Sequence, residues 1–128
     1  MMNRGRRNTE ATERLAAKRA REDQAPRLSA EVPKLATLAL EVREFMAAVP
    51  VAEPGHVRRV VVESAPALFE MPCGDPRCKD GGHDVTREII RALERGEARF
   101  EGDDACRGGI GTANCTRVMH YIGTATFK

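Results

Sequence analysis

The sequence predicts an α+β fold, a small antiparallel sheet with one helix, in residues 35–128, which follow an N-terminal tail of residues 1–34. Three observations lead to this prediction. Two stretches rich in β-branched residues are typical of strands, one amphipathic stretch has clear helix signals, and all four cysteines fall in the last 56 residues. Because the aromatic content is 4% and tryptophan is absent, a large aromatic core is not available, so a cross-link would help a chain of this size.

The N-terminal tail is basic, and we expect it to be mostly disordered or helical. Its first 30 residues carry eight Lys and Arg against four Asp and Glu, whereas the rest of the chain carries 13 against 15. The composition from Thr9 to Gln24 favours a helix, but Leu15 is its one large apolar residue, so this helix has no apolar stripe to bury. The arginines at the start of the tail are candidate phosphate contacts, although a solvated tail is the more ordinary interpretation: Arg4, Arg6 and Arg7.

The stretch of residues 35–46 fits two periods, and we predict a strand. Leu38, Leu40 and Val42 alternate with polar residues, as in a half-buried strand. Helical spacing stays open, because apolar residues also recur at three- and four-residue intervals: Leu35, Leu38, Ala39, Val42, Phe45 and Met46. The β-branched segment 57–63 needs a neighbour to pair with, which favours the strand.

Proline and glycine mark the next connections. The segment 52–55 contains Pro54 and Gly55 and predicts a turn between the two strands. Pro66 interrupts the second strand because proline removes a hydrogen-bond donor from the ladder. The chain then resumes an extended path over residues 67–71, just before the first cysteine pair.

Residues 85–96 predict the clearest helix. Asp84 is a suitable N-cap and Gly96 a suitable end. The residues of its apolar face are Val85, Ile89, Ala92 and Leu93. A row of arginines on another side is a candidate phosphate-facing stripe, although nearby Glu88 and Glu94 make a solvated face the more ordinary interpretation: Arg87, Arg91 and Arg95.

The chain after this helix predicts a short strand over residues 97–102 and a closing strand over residues 117–127. Between them, the glycine-rich segment 107–114 predicts a flexible loop. Both cysteine pairs therefore fall at strand ends or in the adjoining loops.

The cysteines occur as Cys73-x4-Cys78 and Cys106-x8-Cys115, with 27 residues between the two pairs. Two pairs of thiolates brought together by folding would give Zn²⁺ the closed tetrahedral shell of a structural site. No apolar run long enough for a signal peptide or a membrane span is evident, so we expect a soluble cytoplasmic protein. Thiols are kept reduced in that compartment, which favours a metal over disulfides; two disulfides would be the default in a secreted protein.

This layout resembles a zinc ribbon, in which two loops with two cysteines each are attached to antiparallel strands. The resemblance covers about residues 67–128, and it differs from the usual pattern in the four- and eight-residue spacings and in the inserted helix. It implies zinc binding by the four cysteines and no particular activity. His83, five residues after Cys78, is an alternative ligand in a site of three cysteines and one histidine; we favour a polar neighbour at the helix start.

The sequence lacks the patterns of several enzyme classes. No His-x-Glu precedes Pro72-Cys73, as it would in a zinc deaminase. Neither cysteine pair has the Cys-x-x-Cys spacing of a thiol oxidoreductase, and the glycines of residues 108–111 are not followed by the Lys and Ser or Thr of a phosphate loop. His56 and His120 have no carboxylate or thiol nearby in sequence to suggest a catalytic pair. We therefore expect neither an enzyme nor a small-molecule substrate.

Two hypotheses for the function remain. The first is a structural-zinc module that acts as an interaction or adaptor protein, with a protein partner and no membrane association. The second is a nucleic-acid-binding protein of the transcription or translation machinery, in which the arginine-rich tail and helix face contact the phosphate backbone. We rank the first ahead, because residues 31–128 are net negative and the aromatic residues show no cluster for base stacking.

Overall fold

The computed structural model describes residues 2–46 and 55–128, with side chains from Thr12 onwards; most of the turn predicted at 52–55 lies outside these residues. Its helices are α1 (Met2–Gln24), α2 (Leu28–Glu31) and α3 (Thr86–Glu94). Its strands are β1 (Leu35–Met46), β2 (His56–Val60), β3 (Glu70–Met71), β4 (His83–Asp84), β5 (Arg99–Ala105), β6 (Gly109–Ile110), β7 (Ala113–Asn114) and β8 (Arg117–Phe127).

The main sheet has four antiparallel strands in the order β2-β1-β8-β5. Strands β1 and β8 pair over almost their whole lengths, from Leu35 opposite Phe127 to Met46 opposite Arg117. Leu38 and Leu40 are buried on one side of β1, as the alternating pattern predicts. The small antiparallel sheet and the strand at residues 35–46 are thus confirmed, and the helical alternative for this stretch is wrong.

One face of the sheet carries the hydrophobic core, which α2 and α3 help to cover. Fully burying an aliphatic side chain contributes about 1.5–3 kcal/mol, so a few such residues account for much of the driving force for folding. The most deeply buried large side chains are Leu28, Leu35, Leu40, Val85, Ile89, Leu93 and Met119. Leu28 and Val32, which precede residue 35, therefore pack in the same core as the sheet.

Helix α3 ends as the sequence predicts. Gly96 adopts a left-handed conformation with φ of +73°, which glycine accepts without a steric penalty. The Gly96 N–H donates to the carbonyl of Leu93, and the Glu97 N–H donates to that of Ala92, at 3.0 and 3.1 Å. These two bonds form the Schellman motif that stops the helix and turns the chain towards β5.

The start of α3 differs from the prediction by one residue. The N-cap position is Val85, not Asp84. The Asp84 carboxylate still accepts a hydrogen bond from the Thr86 N–H at 3.1 Å, while the Thr86 hydroxyl accepts one from the Phe69 N–H at 2.8 Å. The helix start is therefore tied both to its own first turn and to the segment just before β3.

Two other segments correct the sequence prediction. The strand predicted over 57–63 ends at Val60, because the N–H groups of Ser64 and Ala65 turn back to the carbonyl of Val61. The segment 107–114, predicted as a flexible loop, contains the hairpin of β6 and β7 with Gly111 at a φ of +62°. Among the described residues, no helix is both long and apolar enough to cross a bilayer.

Helix α1 covers the segment whose composition favours a helix. Its last turn contacts the folded part through Arg21, whose guanidinium binds the carboxylate of Glu70 on β3 at 2.8 Å. This ion pair lies at the surface, where solvent screens the attraction between the two charges.

We predict that Gly123→Ala destabilises the fold by about 1–3 kcal/mol. Gly123 lies opposite Phe100 across β8 and β5, and the aromatic ring occupies the space that a Cβ would need. Urea unfolding measures the decrease in the free energy of unfolding. Thr124→Ala, at an exposed position on the same strand, is the control, and we expect it to cause a smaller decrease. Equal stability of Gly123→Ala and the parent would contradict this account of the packing.

Candidate metal centre

The fold brings the four cysteines together. Their Sγ atoms all lie within 4.8 Å of one another, and all four thiols are free. The Sγ atoms of Cys73 and Cys115 are 3.8 Å apart, and those of Cys78 and Cys106 are 3.6 Å apart. Four sulfurs at about 2.3 Å around a tetrahedral Zn²⁺ are separated by about 3.8 Å, so the cluster has the dimensions of a four-cysteine metal site.

Turn chemistry positions the first pair, Cys73 and Cys78. The Asp75 carboxylate accepts hydrogen bonds from the Arg77 N–H at 2.9 Å and from its guanidinium at 2.9 and 3.1 Å. These bonds to Arg77 lower the pKa of Asp75 to about 2. The Cys78 N–H donates to the Asp75 carbonyl at 3.1 Å, which folds the loop back so that both sulfurs face the same point.

The second pair sits at the ends of two neighbouring strands of the main sheet. Cys106 directly follows β5, and its N–H donates to the carbonyl of Arg117 on β8 at 2.9 Å. The β6–β7 hairpin then returns the chain to Cys115, whose N–H donates to the Gly108 carbonyl at 2.8 Å. The eight-residue spacing is therefore filled by a compact hairpin.

Backbone contacts hold the two cysteine loops against each other. Lys79 and Gly109 exchange both of their N–H to carbonyl hydrogen bonds, at 2.8 and 3.0 Å. Gly81 and Gly108 face each other beside the sulfur of Cys78, and a Cβ at either position would clash with that sulfur. Glycine is thus required where the loops approach most closely.

The thiols differ in acidity. Burial raises the pKa of Cys73 to about 11, and burial together with a hydrogen bond to Cys106 raises the pKa of Cys78 further. Burial acts the same way on Cys106, but several hydrogen bonds to its sulfur together outweigh burial and lower its pKa to about 7. The donors include the N–H groups of Gly82 and Gly108, at 3.3 and 3.5 Å. Four adjacent thiolates repel one another, so full deprotonation requires a cation at their centre. The soft sulfur donors suit Zn²⁺.

A partly buried polar network connects the cysteine loops to the sheet. His83 is buried, and its Nδ1 lies 3.1 Å from the carboxylate of Asp104 on β5. Its Nε2 has no hydrogen-bond partner among the described residues and lies 3.8 Å from Oε2 of Glu44 on β1. The same carboxylate oxygen of Glu44 accepts bonds from the Gly74 N–H and from Arg117 Nε, both at 3.1 Å. His83 follows Gly82, whose N–H contacts the sulfur of Cys106, but in the described part of the chain the group of mutually close ligand atoms consists of the four sulfurs alone.

The arginines predicted as phosphate contacts are not gathered at this centre. Arg87 and Arg91 are exposed on α3, and Arg95 is exposed at its C-cap, 3.6 Å from the carboxylate of Glu97. Three others lie in the N-terminal part of α1: Arg4, Arg6 and Arg7.

His120 has carboxylate neighbours that its sequence context does not show. Its Nδ1 is 2.6 Å from Asp103 and its Nε2 is 3.1 Å from Glu101, both on the adjacent strand β5. In the sequence, the only sign of these contacts is the two-residue spacing of Glu101 and Asp103. This spacing indicates a contact with His120 only once the register between β5 and β8 is known. His56 lies exposed on the edge strand β2.

We predict that the purified protein contains about one zinc per chain. Cys106→Ser should lose the metal, because a hydroxyl is a poor ligand for Zn²⁺ where a thiolate is needed. Metal content, with a thiol count of the same sample, tests this. Undiminished zinc in the double variant Cys73→Ser, Cys78→Ser would show that the site is wrong. His83→Gln is the matched control, and it should keep the metal; its loss from a folded His83→Gln protein would indicate a site of three cysteines and one histidine.

Zinc affinity should rise steeply with pH. The pKa of Cys73, about 11, and the raised pKa of Cys78 keep both thiols protonated near neutral pH, so each releases a proton when metal binds. Two released protons correspond to an increase of about 100-fold in affinity per pH unit, so we expect at least this increase over about one pH unit around neutrality. Competition with a chelator of known affinity measures the slope. A change below about tenfold would contradict thiol ligation by this pair.

Comparison of the chain with protein-family models, with curated proteins and with solved structures finds no match. The resemblance to a zinc ribbon stays a prediction, and what the structure shows is four cysteines close enough together to hold a metal ion.

Proposed function

We propose that this protein is a structural-zinc module that acts as a protein-interaction or adaptor domain and is not an enzyme. The observation that carries the proposal is the closed donor set. The four mutually close sulfurs would fill the four positions of a tetrahedral ion, whereas a catalytic zinc keeps one position for water or substrate. In this role the metal supplies binding energy and a fixed geometry.

The position of the cysteines supports a structural role for the ion. Cys73 follows β3, Cys78 precedes β4, Cys106 follows β5 and Cys115 precedes β8. One ion would therefore join segments from both the main sheet and the two-stranded β3–β4 sheet. Because the aromatic core is small, this cross-link would contribute a large share of the stability, and metal binding would be coupled to folding.

A second candidate function, nucleic-acid binding, is favoured by one observation. Arg87 and Arg91 are exposed on one side of α3 and have no ion-pair partner in the part of the chain that the structure describes. Exposed Glu88 and Glu94 on the same helix offset this charge, so we rank this function second.

Cross-linking in extract of the native host tests the proposed function. We expect the tagged, zinc-loaded chain to capture protein in nuclease-treated extract, and Cys106→Ser to lose that capture with its metal. Capture that disappears on nuclease treatment would contradict the proposal, as would retention of the purified chain on nucleic acid at about 50 mM salt with release at higher salt, since phosphate contacts weaken steeply with salt.

A further inference from the structure

The edge strand β2 has backbone groups available for pairing. It is the terminal strand of the order β2-β1-β8-β5, so one of its two sides faces no strand among the described residues. Its five residues pair with β1 in an unbroken register, from Val60 opposite Leu38 to His56 opposite Val42. An open, regular edge is a template for a further strand.

Two common features that protect edge strands, a proline and a bulge, are missing from β2. Residues 56–60 contain no proline, and the pairing with β1 has no bulge. Val57 is 70% exposed and Val61, directly after the strand, is 63% exposed. In the described chain, the one other exposed large hydrophobic residue is Leu15, so apolar exposure is concentrated beside this edge.

The charge of this edge is positive. Arg58 and Arg59 are exposed, and neither has an ion pair with any residue that the structure describes. The opposite edge differs, because the acids of β5 are engaged: Glu101 and Asp103 contact His120. A β2 to β2 pairing of two copies would bring the arginines of both copies together, and like charges on neighbouring strands are destabilising.

We propose that β2 accepts an extended acidic segment of a partner protein as a fifth strand of the sheet. Main-chain hydrogen bonds supply the affinity, Val57 packs against apolar side chains of the segment, and the two arginines select acidic residues. This inference rests on the proposed function, since it names the surface and the chemistry of the partner that an interaction module would use.

The test uses a fluorescent seven-residue probe, Thr-Val-Val-Asp-Glu-Val-Thr, with the zinc-loaded chain. Its two adjacent acids point to opposite faces, as the adjacent Arg58 and Arg59 do, and its valines can pack against Val57. We expect binding that weakens at least about tenfold when both acids are replaced by lysine, because two attractive pairs become repulsive. A probe with N-methyl groups at alternate residues removes backbone donors without changing charge. Two such probes are used, one methylated at the odd positions and one at the even positions, so that each set of backbone donors is removed once. We expect at least one of the two probes not to bind.

The protein variant Arg58→Glu, Arg59→Glu should reverse the preference towards the lysine probe. Its matched control is Arg87→Glu, Arg91→Glu on α3, which changes the net charge equally and should leave binding of the acidic probe unchanged. Hydrogen exchange should show protection of β2 amides by the probe. Equal zinc content shows that both variants are folded.

Three results of the probe measurements would overturn the inference: no binding of the acidic probe, full binding of both N-methyl probes, or an unchanged preference in Arg58→Glu, Arg59→Glu. If the parent chain self-associates and the double variant does not, β2 pairs with β5 of a second copy instead of with a partner protein, and the inference is wrong. If the variant still captures nuclease-resistant protein in extract as the parent does, this inference is wrong and the proposed function stands. If the parent captures none, the proposed function itself fails.

Discussion

The convergence of four sulfurs at one point is the constraint on which the rest of the structure depends. The two cysteine loops exchange hydrogen bonds between Lys79 and Gly109, and their glycines leave no room for side chains beside Cys78. Thiolates held this close repel one another unless a cation lies between them. The bound ion we propose would therefore balance a charge that the fold concentrates, and chelation would loosen both loops together.

The sheet and the cluster are connected through a small number of polar side chains. Glu44 on the central strand β1 binds the first cysteine loop at Gly74 and also binds Arg117, two residues after Cys115. His83 reaches Asp104 on β5 from the β4 strand. Removing one partner of a partly buried polar pair leaves the other with an unsatisfied group that is only partly hydrated. We therefore expect the metal centre and the sheet to unfold together.

Much of this arrangement follows from local sequence patterns, and some of it does not. The β-branched and alternating stretches predict β1 and β8, the signals at Asp84 and Gly96 predict α3 to within one or two residues, and the four cysteines are brought together as their chemistry suggests. Glu44 and the carboxylates around His120 carry no local signal, because their contacts depend on strand register between distant segments. Leu28 belongs to the core although its neighbours in sequence are mostly polar. The hairpin at 109–114 depends on the left-handed conformation of Gly111, whereas the glycine-rich composition of this segment predicts only a flexible loop.

The measurement that tests the central claim most directly is X-ray absorption of the zinc-loaded protein at the zinc edge. The account predicts four sulfur ligands at about 2.3 Å and no nitrogen or oxygen ligand. The same spectrum should be obtained from His83→Gln, since His83 lies outside the cluster of sulfurs. A first shell that contains a nitrogen or an oxygen atom would contradict the closed four-cysteine centre and, with it, the structural role proposed for the ion.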